Sequence, residues 1–363
     1  MDESKLKELE KIQKIIIKRH IILIIISLII SIFASIFYFI IKQKNNSFYY
    51  FLILISCHSP IYLLIFIFEK HSDRRYHYLL GFSLILILGY SISLIFLVHT
   101  IYYQLFCYFI TLSIYHYAEF FSELLFHFHD LSRDAFLIFP NSLWPILTPF
   151  SFLETIIGTY FFHEYKNIKI IFIIGLLMTI IGQYFRIAAL FTGKQNFTHK
   201  IATRKKKTHI LVKEGIYKIC RHPSYFGFFV WSVGIEIMCV NPICTISFAF
   251  ILFKFFKDRI EIEEEYLIRF FGFEYIVYRR EVGTIIPFAN ISVETEKENL
   301  KIHLEMFRDD DDDENKEKIY DFLYDHNIND DDSGSNSDDD KKKKNKFFFI
   351  LFFLFKQFQY YEN

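Results

Sequence analysis

The sequence predicts an all-α chain: a polytopic membrane helix bundle of about eight membrane segments, the last two a helical hairpin, with a polar segment on the cytosolic side. Three observations lead there. Apolar runs near the roughly 20 residues that a helix needs to cross a bilayer recur along the chain. Most charge sits in the first twenty residues, one internal loop and the last eighty. Basic residues cluster on alternate connections between the runs, as cytosolic loops should. Of 363 residues, 53% are apolar and 46 are Phe, which exceeds the roughly 45–50% apolar content of an average globular chain. The formal net charge is zero, so composition points to no nucleic acid or other bulk electrostatic partner.

The first run, residues 21–41, follows Lys5, Lys7, Lys11, Lys14, Lys18 and Arg19. It is too long for a signal h-region and lacks a small-residue cleavage site, so a first span with a basic cytosolic flank is expected. Further candidate spans are 47–68, 78–98, 101–115, 143–162 and 168–191. The stretch 116–139 carries Glu119, Glu123, Asp130, Arg133 and Asp134. It is apolar on one side only, and an interfacial stretch or cytosolic turn is expected there. Lys70, Arg74 and Arg75 mark one basic loop; Lys194, Lys200, Arg204, Lys205, Lys206, Lys207, Lys213, Lys218 and Arg221 mark another. Six spans put both loops in the cytosol with the N-terminus. The sequons at Asn196 and Asn290 then stay unglycosylated.

Residues 225–240 and 243–256 are two shorter apolar segments joined by Asn241-Pro242. Asn-Pro is a turn signal, so a hairpin returning to the cytosol is expected. Its second helix runs out into Lys257, Asp258, Arg259, Glu261, Glu263, Glu264 and Glu265. From 290 onward the blocks of Asp at 309–313, 330–332 and 338–340 and of Lys at 341–344 are the chemistry of a largely disordered tail. Its Phe-rich end, 347–355, is too short to span. The expected organisation is therefore N-terminal membrane helices (1–115), a core with membrane helices and a cytosolic working segment (116–289), and a low-complexity tail (290–363).

The five cysteines form no CxxC pair and no zinc spacing, so neither a disulfide framework nor a metal site is expected. His127 and His129 stand two apart on the interfacial stretch and are expected to be solvated. Gly193-Lys194 lacks P-loop spacing. Two features remain. The first is Thr208-His209-Ile210-Leu211-Val212, then Gly215-Ile216-Tyr217, then Arg221-His222-Pro223-Ser224-Tyr225. Pro223 can open a helix whose first-turn N–H groups are free for an acceptor. A plain Pro-started helix beneath a snorkelling Arg fits the same spacing. The second is Arg259 and Glu263, four apart on one helix face. They could be a surface ion pair, or an Arg held ready to clamp a carboxylate.

These features, in this order over about 170 residues, resemble the isoprenylcysteine carboxyl methyltransferase family. The likeness also takes in His116-Tyr117-Ala118-Glu119, Asn196-Phe197, Asn241-Pro242-Ile243-Cys244, Phe255-Phe256-Lys257-Asp258-Arg259 and Phe270-Phe271-Gly272. The resemblance implies methyl transfer from S-adenosylmethionine to the carboxylate of a C-terminal prenylated cysteine on small GTPase-like and other CaaX proteins. It implies a multi-pass protein of the endoplasmic reticulum membrane, with active site and both termini facing the cytosol and no metal. His209, Ile210, Leu211, Val212, Tyr217, His222, Pro223, Ser224 and Tyr225 match its cofactor positions. Arg259 and Glu263 match positions on the substrate side, and are the catalytic candidates, with Glu263 expected to orient Arg259. One departure is Ala202, where the family often has Gln. A phospholipid N-methyltransferase, a membrane sterol reductase and an inactive membrane scaffold are the alternatives.

Overall fold

The computed structural model describes residues 3–42, 61, 65–67, 69–70, 72–98, 102–137, 144–206, 208–286, 292–307 and 313–325. Among these the chain is helical throughout, with no strand. The first long helices are α1 (Glu3–Lys42), α2 (Ser72–Val98), α3 (Tyr103–Phe126), α4 (Trp144–Phe161) and α5 (Lys169–Gly193). They are followed by α6 (Pro223–Met238), α7 (Pro242–Phe271), α8 (Phe273–Glu281), α9 (Val293–Met306) and α10 (Asp313–Asp325). Two described stretches, Lys7–Phe33 and Lys169–Asn196, are long and apolar enough to cross a membrane by length and composition. The candidate span at 47–68 lies almost wholly outside the described residues.

Helices α5 and α6 form the most intimate pair. Gly175, Gly182, Gly227 and Gly234 fall at seven-residue spacing on the two helices, so each pair shares one face. A Cβ on Gly182 would stand 2.3 Å from the Trp231 backbone nitrogen, and one on Gly227 2.6 Å from that of Arg186. Small residues let helix backbones approach this closely, the packing that works where the solvent is itself apolar. The opposite face of α5 presents Ile170, Ile173, Ile174, Leu177, Ile180, Ile181 and Tyr184 outward. That unbroken apolar stripe suits lipid.

The hairpin is present: α6 ends at Met238, Asn241 caps the turn and Pro242 opens α7. Glu154 of α4 accepts from the N–H groups of Ile243 (2.9 Å) and Cys244 (2.7 Å), the free donors of that helix start. With 30 residues, α7 is about 45 Å long. Its first half packs Phe248, Leu252, Phe256 and Ile260 against Trp231, Ile235 and Met238; its second half carries the acidic residues out beyond them.

Two expectations are corrected. Residues 116–126 are not a turn; they are the last three turns of α3. The carboxylate that suggested an interface, Glu119, is fully buried, and Arg186 Nε of α5 meets it at 2.6 Å. The charge is accommodated inside the bundle by its partner, which spacing in the sequence cannot reveal. Residues 293–306 and 313–325 are not a disordered tail but helices α9 and α10. Leu300, Ile319 and Phe322 are buried with Ile268, Tyr275, Ile276 and Tyr278 of α7 and α8. Charge counting missed this because only a few apolar residues, properly spaced, make the contact. The remainder of the tail lies outside the described residues.

Candidate active site

The polar cavity of the molecule forms where the 193–222 segment meets the end of α7 and α8. It encloses about 130 Å³ and is open on one side to solvent. Local sequence explains its walls. Gly193 ends α5, a short 3-10 turn follows at Lys194–Asn196, and Asn196 Oδ1 ties it to the His209 stretch by accepting from the Ile210 N–H at 3.0 Å. Gly215 adopts φ +56° to turn the chain toward Tyr217, a conformation that costs an L-residue energy. Pro223 stands at the start of α6 as expected, so His222 sits at the mouth of that helix.

His209, Ile210, Leu211, Val212, Tyr217, His222, Pro223, Ser224 and Tyr225 all line this cavity, and so does Glu263. Nine residues scattered over 17 positions thus converge with one from α7. Ala202 lines it as well, so the departure from the family pattern falls on the cavity wall. Arg259 is set just behind: its Nε donates to Tyr225 Oη at 3.0 Å and its terminal nitrogen to the His199 carbonyl. The guanidinium also lies 5.7 Å from the centre of the Tyr225 ring.

The role expected of Glu263 is modified. Its Oε2 faces His222 Nδ1 at 3.6 Å, too long for a hydrogen bond, and among the described residues that buried oxygen has no hydrogen-bond partner. Burial works against its charge, but His222, Tyr225 and the Arg259 charge hold its carboxyl below the usual range. Arg259 is therefore steadied by Tyr225 and His199, while Glu263 supplies an ionised, underused acceptor inside the cavity.

The centre of the electrostatics is Glu264, which sequence reading left in the background. It is fully buried. Arg221 reaches it with Nε at 3.1 Å and a terminal nitrogen at 3.2 Å, a bidentate pair. His222 Nε2 donates at 2.7 Å, Tyr275 Oη at 2.6 Å, and Arg279 Nε approaches to 3.1 Å. Burial alone would raise Glu264, but His222, Arg221 and Tyr275 outweigh it and hold it down to about 2. Burial opposes the charge of His222 too; the neighbouring carboxylates of Glu263 and Glu264 outweigh it and its pKa is pushed up to about 9. His222 is thus an imidazolium at neutral pH, a donor and a cation rather than a base. Behind the opposite wall, Arg186 links Glu119 to the Ser224 hydroxyl, and His199 Nε2 stands 3.1 Å from Glu123. A lone Arg and a lone Glu inside apolar runs were the available signal for this pair. Among the described residues no cluster could hold a metal ion.

These shifts give a pH prediction. His222 is raised from 6.5 to about 9, so its stabilisation is complete below pH 6.5 and lost as pH rises through 9. Glu264 is lowered from 4.5 to about 2, so its share is complete above pH 4.5 and lost as pH falls through 2. The melting temperature of detergent-solubilised protein should therefore decline between about pH 6.5 and 9. The decline should shrink in His222→Asn; an equal decline in both would remove His222 as its source.

Comparison with known proteins agrees with this geometry. The sequence model of the isoprenylcysteine carboxyl methyltransferase (ICMT) family matches residues 173–269, which hold both walls of the cavity. The protein-S-isoprenylcysteine O-methyltransferase of Saccharomyces cerevisiae is 37% identical over 185 residues, 49% of this chain and 77% of that one. The Homo sapiens enzyme of the same name is 41% identical over 181 residues, 50% of this chain and 64% of that one. A solved structure, described as the eukaryotic intramembrane Ras methyltransferase ICMT without a monobody, superposes with a TM-score of 0.65 at 31% identity. It covers 74% of this chain and 98% of its own. Matched by the family model, by relatives of this identity and coverage and by a solved structure of the same fold, the chain belongs to the isoprenylcysteine carboxyl methyltransferase family.

Proposed function

We propose that this chain is a protein-S-isoprenylcysteine O-methyltransferase that esterifies the free carboxylate of a C-terminal prenylated cysteine, with S-adenosylmethionine as methyl donor. The observation that carries the reading is the convergence of the nine cofactor-position residues on one cavity with Arg259 anchored behind Tyr225.

The cavity suits the donor. Tyr217, Tyr225, Tyr266 and Phe270 present aromatic surface, and Glu263 presents an ionised oxygen with no hydrogen-bond partner; both attract a cationic ligand. Burial, then the charges of Lys206 and Lys205, push His209 down, so it meets the ligand as a neutral ring. When bound, S-adenosylmethionine would supply a sulfonium methyl group: the carboxylate oxygen would donate the pair of the new O–C bond as the C–S bond breaks, its pair leaving on the neutral sulfur of S-adenosylhomocysteine. The acceptor carboxylate has a reference pKa near 3.5, so it arrives ionised and needs no base. That agrees with a protonated His222. The chain's work is alignment and exclusion of water: Arg259 orients the carboxylate, Tyr225 fixes Arg259, and Glu264 fixes the Arg221-His222 corner.

The apolar outer face of α5 fits a bilayer setting, and lateral access between helices fits a prenyl chain. The reading extends to about eight membrane segments, to the endoplasmic reticulum membrane with the cavity and both termini in the cytosol, to the division at 115 and 289, and to prenylated small GTPases among the substrates. Detergent- or membrane-borne protein should transfer labelled methyl from S-adenosylmethionine to N-acetyl-S-farnesylcysteine as a base-labile ester. Absence of that ester, with labelled methyl instead on phosphatidylethanolamine, would assign the cavity to a phospholipid N-methyltransferase.

A further inference from the structure

Helices α9 and α10 lie past the residues matched by the family and past the resemblance legible in the sequence, yet they touch three parts of the cavity wall. The first contact is electrostatic. Glu296 of α9 meets an Arg279 terminal nitrogen at 3.0 Å, and Arg279 Nε meets Glu264 at 3.1 Å. Arg279 is thereby held between two carboxylates, one on the extension and one at the hub that fixes Arg221 and His222. The second contact is apolar: Leu300, Ile319 and Phe322 bury Tyr275 and Tyr278, both cavity-lining residues. The third reaches the cavity's loop. Lys205 Nζ stands 4.6 Å from the Phe307 ring centre and 5.1 Å from that of Phe271, while Ala202, three residues away, lines the cavity.

The extension is also registered against α7 rather than loosely laid on it. Arg269 Nε donates to Asn299 Oδ1 at 2.5 Å, and the His303 ring meets the Arg269 carbonyl at 2.8 Å. Gly272, at φ +57°, leaves room for His303, whose Nε2 would stand 2.6 Å from a Cβ there. Fixed in this register, α9 sets where Glu296 and Phe307 present themselves.

We propose that residues 292–307 and 313–325 are an intramolecular brace for the cofactor pocket, with Glu296 and Phe307 as positioning residues acting through Arg279 and Lys205. The inference rests on the reading of the cavity as an S-adenosylmethionine site. Removing the Glu296 charge frees Arg279 to swing toward Glu264 and shifts the Arg221-His222 corner. Removing the Phe307 ring loosens residues 202–206, beyond the His199 anchor of Arg259. Both loosen the cofactor wall and leave Arg259, on the far side of Tyr225, in place.

Full-length protein in detergent serves for the test, as wild type, Glu296→Gln, Glu296→Asp and Phe307→Ala. Binding of S-adenosylhomocysteine is measured by calorimetry, amide exchange is followed over residues 200–212, and KM is determined for S-adenosylmethionine and for N-acetyl-S-farnesylcysteine. Glu296→Gln should weaken cofactor binding roughly 3- to 30-fold, with Glu296→Asp partly restoring it and the KM for the lipid substrate changing by less than about 2-fold. Phe307→Ala should speed exchange across 200–212. Wild-type affinity in both variants, or parallel loss of both KM values with a lowered melting temperature, overturns the brace. Wild-type protein that binds S-adenosylhomocysteine but methylates no farnesylcysteine overturns the proposed activity instead.

Discussion

Glu264→Ala is expected to abolish methyl transfer and to cut the yield of folded protein sharply. The carboxylate is fully buried and takes contacts from Arg221, His222, Tyr275 and Arg279. Its removal takes from Arg221 its carboxylate partner and leaves His222 and Arg279 with one carboxylate each, Glu263 and Glu296. Breaking a buried pair by deleting one partner costs about 3–5 kcal/mol, and here the Arg221 pair is broken outright while two more contacts are lost with it. The cost falls on the cavity, since Arg221 also ties the 279–283 segment: it donates to the Arg279 carbonyl at 2.7 Å and to the Val282 carbonyl, and its own N–H donates to Gly283 at 3.0 Å. Glu264→Gln keeps the shape, but its single carbonyl oxygen cannot serve all of these donors. It should fold in part and retain a small fraction of activity. Monodispersity on size exclusion and labelled-methyl transfer check both variants. An Ala variant with wild-type yield and kcat/KM would show that Glu264 is a bystander.

Gly182→Leu should be the most damaging change within the bundle. Any Cβ at this position falls 2.3 Å from the Trp231 nitrogen and 2.6 Å from the Gly227 carbonyl. Both are backbone atoms, which cannot turn aside as a side chain can. Overpacking in a tight core typically costs about 1–3 kcal/mol and more when only backbone can yield. Separation of α5 from α6 would also pull Arg186 from Ser224, so the damage reaches the cofactor wall one turn away. Leu177→Ala is the matched control, since that side chain is 54% exposed on the opposite face. Thermal melts in detergent should show a large drop for Gly182→Leu and little change for Leu177→Ala. Equal melting temperatures would mean that the two helices can slide apart without penalty.

Neither prediction was legible from local pattern. The glycines were visible in the chain, but only packing showed that those of α5 meet those of α6 backbone to backbone. Glu264 stood beside Glu263 in the sequence, and the choice of which one turns inward follows from helix phase. Burial at 260, 264 and 268 on α7 repeats every four residues, which puts Glu264 on the packed face and Glu263 at the cavity.

The sequence by itself determined the helical class and the hairpin turn at Asn241-Pro242, and it singled out the residues from His209 to Tyr225 that line the cavity. These follow from local rules: apolar run length, the fixed φ of proline, and an ordered set of motifs specific to one family. Only the tertiary structure decided who partners whom. It buried Glu119 against Arg186, made Glu264 the counter-charge for two arginines and a histidine, gave Arg259 to Tyr225 and His199, and folded helices α9 and α10 onto the cavity wall. The physical reason is the same in each case. A buried charge is tolerable only with its partner in place, and partners separated by 15 to 67 residues along this chain are brought together by helix packing, which no local spacing records.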